Sequence, residues 1–187
     1  MNLICVLLGV LILWFAYPYV RCLRKRIVCY RKLKKVCKVN GLQLHGTRIL
    51  WFLGGRKGKK YDCYIETPIS VLGIKFFGVV RHLRTLVFVE ESAYLLRRHM
   101  GAMLWIHDTF DGVQRELPEY DFEYKEKEAS PEKQRYPILL VNPVPVEILQ
   151  QFDNGKEVIL NPGDKIRDME VYNQSQLLKR LEDLGSL

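Results

Sequence analysis

The first twenty residues, MNLICVLLGVLILWFAYPYV, carry no charged side chain, and nine Lys or Arg follow between Arg21 and Lys38. Twenty helical residues at ~1.5 Å rise reach ~30 Å, the thickness of a bilayer hydrocarbon core. Gly9 is tolerable in a membrane helix, and Pro18 lies near its end, where a lost hydrogen bond costs least. Trp14, Tyr17 and Tyr19 sit where interfacial aromatics do. Residues 1–20 are therefore expected to form a transmembrane helix. A cleaved signal peptide needs a basic n-region and a small-x-small site, whereas Phe15-Ala16-Tyr17 offers none and no cation precedes the apolar run. The competing reading is a secreted domain after cleavage.

Residues 21–41 form a basic stem. Its cations are Arg21, Arg24, Lys25, Arg26, Arg31, Lys32, Lys34, Lys35 and Lys38. The positive-inside rule places them in the cytoplasm, with the N-terminus outside and the rest of the chain inside the cell membrane. Residues 21–39 lack Gly and Pro, so the helix should continue from the span and stop at Asn40-Gly41. Leu23, Ile27 and Tyr30 follow i, i+4, i+7 and suggest a narrow apolar stripe. Such a stem fixes topology and favours anionic lipid, each basic residue near the surface contributing about 1 kcal/mol.

The net charge of +8 describes no part of the molecule. Residues 21–60 hold fourteen Lys and Arg and no acid, whereas residues 61–187 hold fifteen against all 21 acids. The body is mildly acidic, which argues against nucleic acid as a partner.

Residues 42–187 read as a small α+β domain, β-rich and closed by a C-terminal helix. Tyr61–Thr67, Val71–Phe77 and Leu83–Val89 suggest a strand meander. Residues 90–106 fit strands or one helix, with strands preferred. Residues 108–135 shift to acidic composition and suggest an exposed loop. Tyr136–Val141 is a continuous apolar run, as in a buried strand. Asn154-Gly155 marks a hairpin tip between Val146–Gln150 and Lys156–Leu160. Met169–Tyr172 is a last strand. Leu177, Leu178, Leu181 and Leu184 lie on one helical face.

No complete catalytic set is visible. The five cysteines form no C-x-x-C and, being odd in number, no closed disulfide framework. The histidines form no H-E-x-x-H, and His107-Asp108 beside Asp111 fits solvated surface better than a metal site. Gly54–Lys60 is one residue short of a phosphate loop and ends in Lys where Ser or Thr should hold magnesium. No cofactor or metal is implied.

One segment has mechanistic content. YDCYIETPISVLGIKFFG places Asp62 on one expected strand and Lys75 on the next, and it resembles the hairpin of restriction-endonuclease-like nucleases. That resemblance implies carboxylates holding magnesium, with the Lys steadying the attacking water. Gly73 occupies the position of the second carboxylate, which leaves Asp62, Glu66 and Lys75 as the candidate set and removes a metal ligand. Two function classes follow: a membrane-anchored, non-enzymatic module for a protein or lipid partner, or a degenerate nuclease-related domain.

Overall fold

A computed structural model describes residues 2–46, 60–78, 84–98, 113–122, 124 and 133–185. The chain opens with α1 (Asn2–Val39) and closes with α2 (Gln174–Gly185). Between them lie β1 (Gln43–His45), β2 (Cys63–Glu66), β3 (Ser70–Phe77), β4 (Arg84–Val89), β5 (Ala93–Arg98) and β6 (Arg115–Glu116). There follow β7 (Gln134–Val141), β8 (Ile148–Gln151), β9 (Glu157–Ile159), β10 (Lys165–Ile166) and β11 (Met169–Asn173). The protein is α+β, with two mixed sheets and a C-terminal helix.

One sheet has the order β1-β2-β3-β7-β11-β10 and the other β6-β5-β4-β8-β9. The expected meander holds for β2 and β3 but not for β4; β1 adds to the antiparallel run on the other side of β2. After β3 the chain leaves for the second sheet, and β7 returns to lie parallel to β3 and to β11. A strand with parallel neighbours on both sides is buried on both faces, so its apolar run is continuous. Ile138 to Val141 are all fully buried.

Alternation along β7 separates two cores. Ile138 and Leu140 face the helices, with Cys63, Ile65, Leu72 and Ile74 of the sheet and Leu177 and Leu181 of α2. Leu139 and Val141 face the second sheet, with Phe77, Val171, Leu86 and Phe88. The layers are thus helices, six-stranded sheet, five-stranded sheet.

α1 is one unbroken helix over Asn2–Val39, with Pro18 inside it, so the expected span and stem are continuous. Among the described residues, no helix is long and apolar enough to cross a membrane. The side chains at 2–4, 6–9, 13 and 15 stand outside that description. The buried stripe of the stem is Cys22, Arg26, Cys29, Leu33 and Cys37 rather than the one through Leu23 and Ile27. These positions repeat at three and four residues, and the small thiols let the helix lie close on the sheet. The helix ends with Gly41 at φ +67° and the Leu42 N–H donating to the Cys37 carbonyl at 2.8 Å. That is a Schellman stop, with Leu42 buried beside Cys37 in the same core.

Residues 93–98 are a strand, as preferred. Within the acidic stretch, Leu117 is fully buried in the inter-sheet core, while most of its described neighbours are exposed. The hairpin of β8 and β9 forms around Gly155 at φ +74°. At the start of α2, Asn173 and Gln176 exchange side-chain and backbone hydrogen bonds in a capping box. Residues 54–59, His82, His99, His107, Asp108 and Asp111 lie outside the described residues.

Candidate functional site

The hairpin β2–β3 forms where the sequence expects it. Its register sets Cys63 opposite Ile74, Tyr64 opposite Gly73 and Glu66 opposite Val71. Thr67 and Ser70 close the turn through reciprocal bonds, Thr67 N to Ser70 O and Ser70 N to Thr67 Oγ1, both 2.9 Å. Opposed residues share a face, so Tyr64, Glu66, Val71 and Gly73 lie on one side of the sheet and Cys63, Ile65, Leu72 and Ile74 on the other. Val71 and Ile74 are buried and Tyr64 is half-buried, and Ile74 faces opposite to the other two.

Asp62 and Lys75 meet at one end of that face. Lys75 Nζ is 3.5 Å from Asp62 Oδ1 and donates to the Lys60 carbonyl at 2.8 Å. Asp62 Oδ2 accepts the Phe76 N–H at 2.8 Å. Lys75 also sits 4.9 Å above the Tyr120 ring. Both carboxylate oxygens are engaged in holding the start of the hairpin.

Glu66 lies four residues further along, about 13 Å at strand rise, beyond the reach of one ion shared with Asp62. Its carboxylate has its own partners: Lys133 Nζ at 2.6 Å, the Tyr124 hydroxyl at 2.6 Å and His45 Nε2 at 3.1 Å. The Lys133 and Tyr124 hydrogen bonds hold it down to about 2. Between the two acids an aromatic wall covers Gly73, with Phe122 at 5.2 Å from Tyr61 and 5.4 Å from Tyr64, ring centre to ring centre. Tyr124 continues it at 5.3 Å from Tyr64. Burial pushes the Tyr61 hydroxyl up to about 12.

The candidate set is therefore split. Asp62 and Lys75 come together, whereas Glu66 is held apart by rings and neutralised by a separate cation. Among the described residues, no group of three His, Cys, Asp or Glu side chains could hold a metal ion. The residues missed by sequence reasoning are Tyr120, Phe122, Tyr124 and Lys133. The signal was there: Tyr120-x-Phe122-x-Tyr124 alternates at period two, which puts three rings on one side of an extended segment.

The stem cations divide as well. Arg26 is 4% exposed and sits inside the body, with its guanidinium against Gly78 and its Nε donating to the Asn142 carbonyl at 3.4 Å. Burial lowers it to about 10. It is enclosed by the body and is no part of an exposed basic face, whereas Arg24, Arg31, Lys32, Lys34, Lys35 and Lys38 are exposed and Arg21 and Lys25 half-buried. No family model, curated protein or solved structure matches this chain.

Proposed function

We propose that this chain is a single-pass membrane-anchored protein whose α+β body is a non-enzymatic module for a lipid or protein partner. The supporting observation is the division of α1. Beyond residue 20 its buried stripe belongs to the core of the body, through Cys29, Leu33 and Cys37. Before that point, Val10, Leu11, Ile12, Trp14, Tyr17, Tyr19 and Val20 are all exposed, Trp14 to 78%. At about 100° per residue, these positions go round the whole helix. A helix that is apolar and exposed at these described positions on every side calls for an apolar solvent.

Because stem and body share one core, the body is held at the membrane face without a flexible linker. The cations of the stem favour the cytoplasmic side. The split site favours binding over catalysis, since Asp62 and Lys75 act on the hairpin itself.

The test is carbonate extraction of membranes from cells expressing the full chain. The anchored protein stays in the pellet at full length. A shorter soluble form would overturn the reading and favour cleavage and secretion.

A further inference from the structure

The uncharged run and the cations meet the body at a cavity of about 690 Å³. Arg21, Arg24 and Lys25 line one side of it, and no acidic side chain is among the described residues that line it. Tyr17, Arg21, Arg24 and Val28 recur at i, i+4, i+7 and i+11, so one face of α1 runs along its length. The opposite wall comes from the segment after β7, with Val144 presenting apolar surface.

This wall is fixed to the helix. Asn142, 4% exposed, donates from Nδ2 to the Lys25 carbonyl and accepts from Arg26 Nε, each at 3.4 Å. The cavity is therefore bounded by a pinned segment rather than by loose surface. Gln174, the first residue of α2, also lines it and brings the partly positive end of that helix to the rim.

We infer that this cavity binds one anionic phospholipid. The phosphate lies among Arg21, Arg24 and Lys25, and the glycerol and first acyl carbons lie on Tyr17 and Val20, the side of the uncharged run. The depth fits. Arg21 to Lys25 spans about 6 Å of helix, and a headgroup layer is about 5–8 Å thick on each side of the hydrocarbon core. A cation-lined space with apolar walls at that level matches a lipid better than a free anion, which has no use for Tyr17, Val20 or Val144. This rests on the membrane reading above.

The full chain in neutral detergent is titrated with dihexanoyl phosphatidylglycerol, dihexanoyl phosphatidylcholine and glycerol 3-phosphate, with adducts counted by native mass spectrometry. One phosphatidylglycerol should bind, at least about tenfold tighter than either comparison. Arg21→Gln/Arg24→Gln/Lys25→Gln should lose that preference. Lys32→Gln/Lys34→Gln/Lys35→Gln removes the same charge away from the cavity and should keep it within about twofold. Val144→Glu, which acts from the body side, should weaken binding without touching the helix.

Equal loss in both triple variants would replace the site by diffuse charge. Glycerol 3-phosphate binding as tightly as the lipid would make it a phosphate site, and parity between the two lipids would remove it. Carbonate extraction of the wild type is run beside the titration. Release from the membrane would sink the anchor reading, while the short-chain lipids still judge the cavity by themselves.

Discussion

The Phe122 ring lies where a side chain at Gly73 would begin, its Cε2 2.5 Å from the position of a Cβ there. Gly73 is thus the residue that admits the aromatic wall, and the ring fills the place where a nuclease hairpin would carry its second carboxylate. Gly73→Glu should not create a metal site. It should displace Phe122 and destabilise the fold by about 1–3 kcal/mol, as overpacking does. Thermal unfolding checks the loss. Magnesium-dependent cleavage of labelled duplex or single strand by that variant would show that the ring yields and that the hairpin is catalytic after all. Gly73→Ala with Phe122→Ala should be more stable than Gly73→Ala alone.

Glu66 gives the fold an acid limb. Its carboxyl is held at about 2, against an ordinary 4.5, chiefly by the Lys133 hydrogen bond and then by Tyr124. A depressed carboxyl contributes stability that is complete above its unfolded value and is lost as pH falls from about 4.5 through about 2. The side chain is half-buried and still reached by solvent, so screening reduces the contribution to about 1 kcal/mol. Melting temperatures of wild type and Glu66→Gln should differ by a few degrees at pH 6 and converge towards pH 2. A gap that stays constant down to pH 2.5 would mean that Lys133 and Tyr124 do not act through the charge.

Leu33 belongs to a stem that the sequence presents as an appendage, yet it is fully buried in the core beneath the six-stranded sheet. Leu33→Ala should cost about 2–5 kcal/mol, whereas Val28→Ala, one of the exposed stem positions, should stay within about 0.5 kcal/mol. Equal, small effects in a denaturation series would detach the stem from the body. For the same reason a fragment starting at residue 42 should be insoluble or unfolded, since it uncovers the side of the sheet that α1 occupies.

The parts of the fold that read directly were those set by local chemistry. Pro68 between two β-branched runs, Asn154-Gly155, and the leucines of α2 each fix an element within a few residues. What did not read depends on partners distant in sequence. The pairing of β3 with β7 joins segments some sixty residues apart, and alternation alone cannot choose it over a continued meander. The stem stripe was misplaced because Cys22, Cys29 and Cys37 look like incidental thiols beside Leu23 and Ile27. Burial there follows the size that fits under the helix rather than hydrophobicity alone. The candidate site was half legible: Asp62 and Lys75 meet as their strands require, but the neutralisation of Glu66 comes from Lys133, with a hydrogen bond from Tyr124, both within a segment that composition marked as solvated.

Cysteine chemistry offers the last test, and it changes how topology must be measured. Cys29, Cys37 and Cys63 are each no more than 1% exposed. Burial pushes Cys29 and Cys37 from the ordinary 9.0 up to about 11, and raises Cys63 well above its ordinary value too. At pH 8 a thiol at about 11 has roughly a hundredfold less thiolate than an ordinary one, and thiolate is the species that reacts. All three should resist maleimide in the native protein and react together once denaturant unfolds it, with no faster class among them. Rapid native labelling of Cys37 would show that the stem lifts from the sheet. A silent Cys63 therefore carries no information about which side of the membrane the body occupies. Asn154→Cys, at the exposed tip of the β8–β9 hairpin, supplies a reporter. It should stay unlabelled by an impermeant reagent in intact cells and label fully after permeabilisation, and labelling before permeabilisation would reverse the orientation.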